Sequence, residues 1–334
     1  MALTRAGVET YVRDLDRNVA HVASSLGAGS DDELKGDPAL VVVATPPDVL
    51  GEEIACALRT YPSAVVTDVG SVKRSPLQEL LDRGEPGSRY VGGHPMAGSE
   101  RSGPLAAAAD LFDGRAWAVV VRPECDADAV AVVEALVTAC GALAVQMGPE
   151  EHDVAVARVS HVPHLVAALT AAQLAGVPRE HLALSGQGVR DVTRIAAGDP
   201  RLWRQILSAN SAAVAELLTS LRADLDEVVE SLAAGDAQRL EKLLQAGVEG
   251  ASAVPGKHGG PPVALEVLSV AIPDEPGALA RLFGDVGAAG VNIEDLHIDH
   301  DPARAFGLAE LSIAATAAGR LVDELNARGW AVHR

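Results

Sequence analysis

With 334 residues, 48% of them apolar and 3% aromatic, the chain is long enough for two or three domains of a soluble α/β or α-rich kind. Its net charge of −19 disfavours nucleic acid and anionic lipid as partners. No run approaches the roughly 18 apolar residues of a membrane span, and Met1–Asp14 lacks the basic start and apolar stretch of a signal peptide, so no membrane partner and a cytoplasmic location are expected.

In chain order, Ala2–Gly7 reads as the last turns of a helix closed by Gly7. Val8–Asp14 reads as a strand ending in an acid, as in the second strand of a dinucleotide-binding fold. Such a fold normally opens with a strand, a Gly-x-Gly-x-x-Gly turn and a helix, and this sequence has no counterpart of them. Two explanations stay open. Either the true start lies upstream of Met1, or dinucleotide binding has been given up; the chain that begins at Met1 is expected to fold poorly and to bind NAD(P) weakly, if at all. Leu40–Ala44, Ala64–Asp68, Tyr90–Gly93 and Ala116–Val121 read as strands of a parallel sheet, alternating with helices. Pro46-Pro47 is expected to open one helix, and Val130, Val133, Val137 and Cys140 mark the buried face of another. Cys56, Cys125 and Cys140 form no CxxC pair and read as reduced packing residues.

Beyond about residue 150 the strand signals stop. Asp199-Pro200 reads as an N-cap with Pro at the first helical position, and Leu218, Leu221, Leu225, Val228 and Leu232 form an apolar stripe, either internal core or dimer seam. Ala251–Pro262 is rich in Gly and Pro and reads as a linker. The last 70 residues carry a β-α-β-β-α-β pattern, with strands over Ala264–Ile272, Val291–Ile298, Gly307–Ala314 and near Trp330–His333, and with Asp274–Gly277 and Gly290 bounding the first helix. The expected organisation is therefore an incomplete Rossmann-type α/β domain over 1–149, an all-α domain over 150–248, a linker over 249–262 and a small α+β domain over 263–334.

Two Gly-containing turns at strand ends carry the reactive side chains. Asp68-Val-Gly-Ser-Val-Lys73 places Ser71 and Lys73 beyond the carboxyl end of a buried strand, where open α/β sheets bind ligands. Gly92-Gly-His-Pro-Met-Ala-Gly-Ser-Glu100 places His94 at another strand end, and a neutral imidazole there can accept a hydroxyl proton near pH 7. His152, His161 and His164 lack a Cys or carboxylate at ligand spacing, so no metal is expected.

With Glu151-His-Asp153, Ser160-His-Val-Pro-His164, Asp191-Val-Thr-Arg-Ile195 and Asp199-Pro-Arg-Leu-Trp203, these segments stand in the order and spacing of prephenate dehydrogenases, and the C-terminal 70 residues are similar to an ACT domain. The resemblance implies oxidative decarboxylation of prephenate, or of arogenate, in tyrosine biosynthesis. By the same resemblance His94 bonds the ring hydroxyl, with Ser71 beside it and the nicotinamide and holding the imidazole in its useful tautomer. Arg194 clamps a substrate carboxylate, and Glu100, Ser160, His161, His164, Asp191 and Trp203 line or brace the pocket. Asp14 takes the ribose, and Thr45 and Pro46 form the turn beside the cofactor, with Ser71 and Lys73 also on the cofactor side. NAD is expected from Asp14, while Arg13 and Arg17 leave NADP open. Pro276, Gly277 and Asn292 are the expected amino-acid effector site, with tyrosine as feedback inhibitor and a homodimer as the assembly.

Overall fold

The computed structural model describes residues 1–98, 103–254, 264–299 and 306–334. The chain divides into two compact units, Met1–Ala237 and Gln238–Arg334.

In the first unit α1 (Ala2–Arg5) ends at Gly7, whose φ of +76° suits a helix terminator. The strand expected over Val8–Asp14 does not form. Tyr11 makes one parallel bridge to Ser30, with Val12 N donating to Ser30 O and Ser30 N to Thr10 O. A strand extends only as far as its neighbour supplies ladder partners, and here the neighbour is a single residue. α2 (Arg17–Ser25) follows, capped by the Asp16 carboxylate, which accepts from Asn18 N.

β1 (Leu40–Val43) and β2 (Val65–Asp68) pair in parallel from Leu40↔Val65 to Val43↔Asp68. The helix between them, α3 (Leu50–Thr60), starts at Leu50 and not at the prolines. Pro46 precedes Pro47 and is thereby steered away from the α region, so the pair sits in the turn closed by Val49 N to Pro46 O. α4 (Arg74–Asp82) leads towards β3 (Gly92–Pro95), and the residues just before β3 meet β2 through the parallel bridge Val66↔Tyr90.

β4 (Ala116–Val120) runs antiparallel to β3, which corrects the expectation of an all-parallel sheet. Between these two strands the described residues hold only a 3-10 turn (Pro104–Ala106), and a return without a crossover helix brings the chain back antiparallel. α5 (Ala127–Ala139) buries Val133 and Val137, with Cys140 just beyond it and Val130 packed alongside, against Val91, Trp117 and Val119. β5 (Leu143–Met147), not foreseen in the sequence, joins β4 in parallel as an exposed edge.

The helical part opens with one continuous run. α6 (Pro149–Val156) passes through a π-helical turn (Ala157–His161) into α7 (Val162–Ala172). The run is long and apolar enough to cross a membrane, yet it buries His152, Asp153, His161 and His164 within the first unit. Then come α8 (Arg179–Leu182), α9 (Gln187–Ile195), α10 (Pro200–Ala209) and α11 (Ser211–Ala234). Asp199 caps α10 by accepting from Arg201 N, with Pro200 at its first position. Of the stripe on α11, Leu218, Leu221 and Val228 are half-buried, whereas Leu225 is 56% and Leu232 63% exposed.

In the second unit α12 (Ala237–Ser252) takes in Ala251 and Ser252, which the sequence assigns to the linker; residues 255–263 lie outside the described ones. The remainder is β6 (Leu265–Pro273), α13 (Ala278–Ala288), β7 (Asp295–Asp299), β8 (Phe306–Ala314), α14 (Ala315–Ala327) and β9 (Ala331–His333). The sheet is antiparallel throughout in the order β7-β8-β6-β9. Both helices pack on it around Leu268, Leu282, Leu311, Leu321 and Leu325, all fully buried. Gly277, with φ +90°, turns the chain from β6 into α13, a conformation open to glycine.

Candidate active site

The site is assembled where β2 and β3 end. Asp68, fully buried at the last position of β2, accepts from Gly70 N (2.9 Å), the Tyr90 hydroxyl (2.9 Å) and Gly93 N (3.2 Å), and it pairs with the Lys73 ammonium. Four donors around one carboxylate offset the cost of removing two charges from water. Burial, followed by the charge of Asp68, raises the Tyr90 phenol well above its ordinary value, so the hydroxyl stays a donor. Lys73 is therefore not a cofactor ligand on the cleft surface, as the sequence suggested: it is 1% exposed and committed to Asp68. Gly93 has to be glycine, because a Cβ there would fall 2.6 Å from Asp68 O.

His94 stands in β3, one residue beyond this anchor and half-buried. Its Nδ1 lies 2.9 Å from His152 Nε2 of α6, and the rings meet edge-on at 5.1 Å. His152 Nδ1 lies 2.8 Å from Asp153 Oδ1. That carboxylate also accepts from Lys73 N (2.8 Å) and Arg74 N (3.0 Å), so α6 closes the N-terminus of α4. Sequence reasoning assigned the orientation of His94 to Ser71; the structure gives Nδ1 to His152, and Ser71 makes no hydrogen bond to the ring. Burial first, then the Lys73 ammonium and the neighbouring rings of His152 and His161, hold the His94 imidazolium down to about 2. The ring is neutral at physiological pH and free to act as a base.

A second group continues from the same helical run. Asn210 Nδ2, between α10 and α11, donates to Asp153 O (2.7 Å) and lies 3.2 Å from His161 Nδ1. Burial brings His161 down to about 4, against the opposing pull of Asp153. Trp203 of α10 stacks on His164 at 3.5 Å and 8°, and it meets His161 edge-on at 6.2 Å. Burial lowers His164 too, partly offset by its hydrogen bond to the Ile195 backbone at the end of α9. Arg194 precedes Ile195 in that last turn, exposed and without an ion-pair partner among the described residues. Asp191 of the same helix is exposed and accepts from Gln187 Nε2 (3.0 Å). Ser160 is half-buried beside His161, and Glu100 lies outside the described residues. Among the described residues no cluster of His, Cys, Asp or Glu is placed to hold a metal ion.

On the cofactor side, the Thr45 hydroxyl just past β1 is buried without a partner, and Pro46 follows it exposed. An orphaned donor beyond the carboxyl end of a parallel strand fits a dinucleotide lying there. Asp14 is exposed and accepts from Asp16 N (2.9 Å), capping the approach to α2 instead of ending a strand. In the second unit Pro276 and Gly277 lie at the N-terminus of α13, as expected. Asn292 precedes β7 and does not lie within it; its amide donates to Glu294 Oε1 (2.9 Å), because the chain reaches its ladder partner only from Glu294 onward.

His152, Asp153 and Asn210 complete the site and were not singled out as functional from the sequence. Asp153 is visible only as part of the Glu151-His-Asp153 motif, and His152 in that motif and as a rejected metal ligand.

Two family models match the chain: "Prephenate dehydrogenase, nucleotide-binding domain" over residues 1–146 and "Prephenate dehydrogenase, dimerization domain" over 148–246. The probable prephenate dehydrogenase NovF of Streptomyces niveus is 36% identical over 99% of this chain and 94% of its own length. The prephenate dehydrogenase of Bacillus subtilis is 31% identical over 78% of this chain and 72% of its own. Among solved structures, A. aeolicus prephenate dehydrogenase in complex with hydroxyphenyl propionate and NAD+ is similar with a TM-score of 0.66 and 28% identity, covering 75% of this chain and 91% of the other.

Proposed function

This chain belongs to the prephenate dehydrogenase family, a family of NAD-dependent oxidoreductases, and we propose that it converts prephenate to 4-hydroxyphenylpyruvate and CO2 with NAD+. The observation that carries the reading is the neutral imidazole of His94, held at a strand end by a buried polar relay. Bound NAD+ supplies a hydride acceptor, and the nucleotide-binding domain and the unpartnered Thr45 hydroxyl support its place beyond β1. The chain's own residues then have three tasks. His94 withdraws the proton of the ring hydroxyl through Nε2. The exposed guanidinium of Arg194 takes a substrate carboxylate in a two-pronged contact, local positive charge set against an unfavourable overall field. His161, His164 and Trp203 form a packed wall that excludes water. Aromatisation drives the loss of CO2, so positioning is most of what is asked of the protein.

Arogenate differs from prephenate by an amino group in place of the side-chain keto group and is the alternative substrate. The βαββαβ unit supports an ACT-type role, with tyrosine at Pro276, Gly277 and the start of α13 as inhibitor. The exposed Leu225 and Leu232 on α11 support a homodimer through that helix. A cytoplasmic location accords with this chemistry.

Steady-state kinetics with prephenate and arogenate, each with NAD+ and NADP+, test the assignment. The expected outcome is NADH formation fastest with prephenate. His94→Asn should lower kcat by about 10²–10⁴-fold, the range for a lost general base. Turnover of prephenate near the wild-type rate in that variant would remove His94 from the role.

A further inference from the structure

We propose that Asp153 and His152 act as positioning residues that hold the single proton of His94 on Nδ1, leaving Nε2 as a bare lone pair for the substrate hydroxyl. The inference deepens the reading above and rests on it for its catalytic meaning, but the proton arrangement itself follows from geometry. Asp153 accepts from two backbone amides, Lys73 N and Arg74 N, and a carboxylate fixed by such donors at a helix N-terminus is ionised and has only acceptor capacity. His152 Nδ1, 2.8 Å from Oδ1, therefore carries a hydrogen. In a neutral ring its Nε2 is then the acceptor, and among the described residues the donor within reach is His94 Nδ1 at 2.9 Å. The chain of hydrogen bonds runs from His94 to His152 to Asp153, and each proton is assigned by the acceptor that follows it.

Two features keep it that way. His152 is fully buried, so neither ring nitrogen can turn to water. The buried Lys73 ammonium, whose own carboxylate, Asp68, is saturated by other donors, lies in the same region and disfavours further positive charge beside the rings. Among the described residues the groups facing the two rings are Lys73 from the turn before α4, Asp153 from α6, His161 from the π turn and Asn210 between α10 and α11, and Asn210 spends its donors on Asp153 O and His161. When the substrate O–H bond breaks and the proton bonds to His94 Nε2, the positive charge on the ring faces His152 Nε2, backed by the Asp153 carboxylate.

The test uses the full chain carrying ¹⁵N-histidine, with ring tautomers read from long-range ¹H–¹⁵N correlations and the His94 signals assigned by their loss in His94→Asn. The expected result is the Nδ1–H tautomer at pH 7. In Asp153→Asn the amide can donate to His152 Nδ1, which moves the His152 proton to Nε2 and the His94 proton to Nε2 as well. That variant should show the inverted tautomer and a kcat lower by about 10²–10⁴-fold, as when a base is held in its wrong tautomer. Its KM for prephenate should move by less than about threefold, since substrate binding is not the term removed. As a second pair, His152→Gln keeps an acceptor for His94 Nδ1 and should turn over at least about tenfold faster than His152→Leu, which has none. An Nε2–H tautomer in the wild-type chain, or equal kcat in the Gln and Leu variants, overturns the inference. The spectrum is independent of activity: a wild-type chain with the expected tautomer that fails to oxidise prephenate sinks the functional reading and leaves the proton arrangement standing.

Discussion

Individual residues divide by whether their chemistry is local. His161, His164 and Arg194 can be picked out in the sequence through motifs that resemble those of prephenate dehydrogenases, and His94 also as an imidazole in a strand-end turn. Arg194 is the clearest of them, an exposed guanidinium with no ion-pair partner among the described residues of a chain of net charge −19. Arg194→Ala should raise KM for prephenate by about 10²-fold, the worth of a charge-assisted bidentate contact of about 3 kcal/mol, while kcat falls far less. An unchanged KM reassigns the carboxylate clamp. The partners of His94 were not legible in the same way. His152 lies 58 residues further along, and no local pattern says that α6 folds back onto β3. For the same reason the sequence points to Ser71, close to the strand end, for the orienting task that the distant His152 performs, and to Lys73 as a cleft ligand when its charge is spent on Asp68.

Elements show a parallel contrast. β1, β2, β4 and α5 follow from apolar runs and helical spacing, because burial leaves its mark on sequence. β5 left none: it is a sheet edge with Leu143 52% and Val145 43% exposed, so nothing obliged its residues to alternate. The antiparallel course of β4 and the failure of Val8–Asp14 to form a strand depend on what lies alongside, which single-strand patterns do not record. What locks β2, β3 and the turn into α4 together is Asp68, through Gly70, Tyr90, Gly93 and Lys73. Asp68→Asn keeps the shape but leaves the Lys73 ammonium buried without its counter-charge, and breaking a buried pair in this way costs about 3–5 kcal/mol. The midpoint of urea unfolding should fall accordingly. A loss below about 1 kcal/mol would deprive the anchor of its electrostatic basis.

Across the whole molecule the buried imidazoles tie stability to pH. In the folded chain burial holds His94 at about 2, His161 at about 4 and His164 below its ordinary value, whereas an unfolded chain returns each to 6.5. Below pH 6.5 the unfolded state therefore binds protons that the folded state refuses. Stability is at its full level above 6.5 and declines as pH falls towards the folded values. At pH 5.5 His94 and His161 alone account for about 3 kcal/mol, a large share of the 5–15 kcal/mol typical of a domain. Self-repulsion among the 46 acidic residues pulls the other way, since protonating carboxylates relieves it. That relief starts only near ordinary carboxylate values around 4, so between pH 7.5 and 5.5 the imidazoles decide the sign. Urea midpoints should be lower at pH 5.5 than at 7.5, and His161→Gln should remove part of the difference. A midpoint equal or higher at pH 5.5 would show that these rings take up protons in place, and the neutral base assigned to His94 would lose its support.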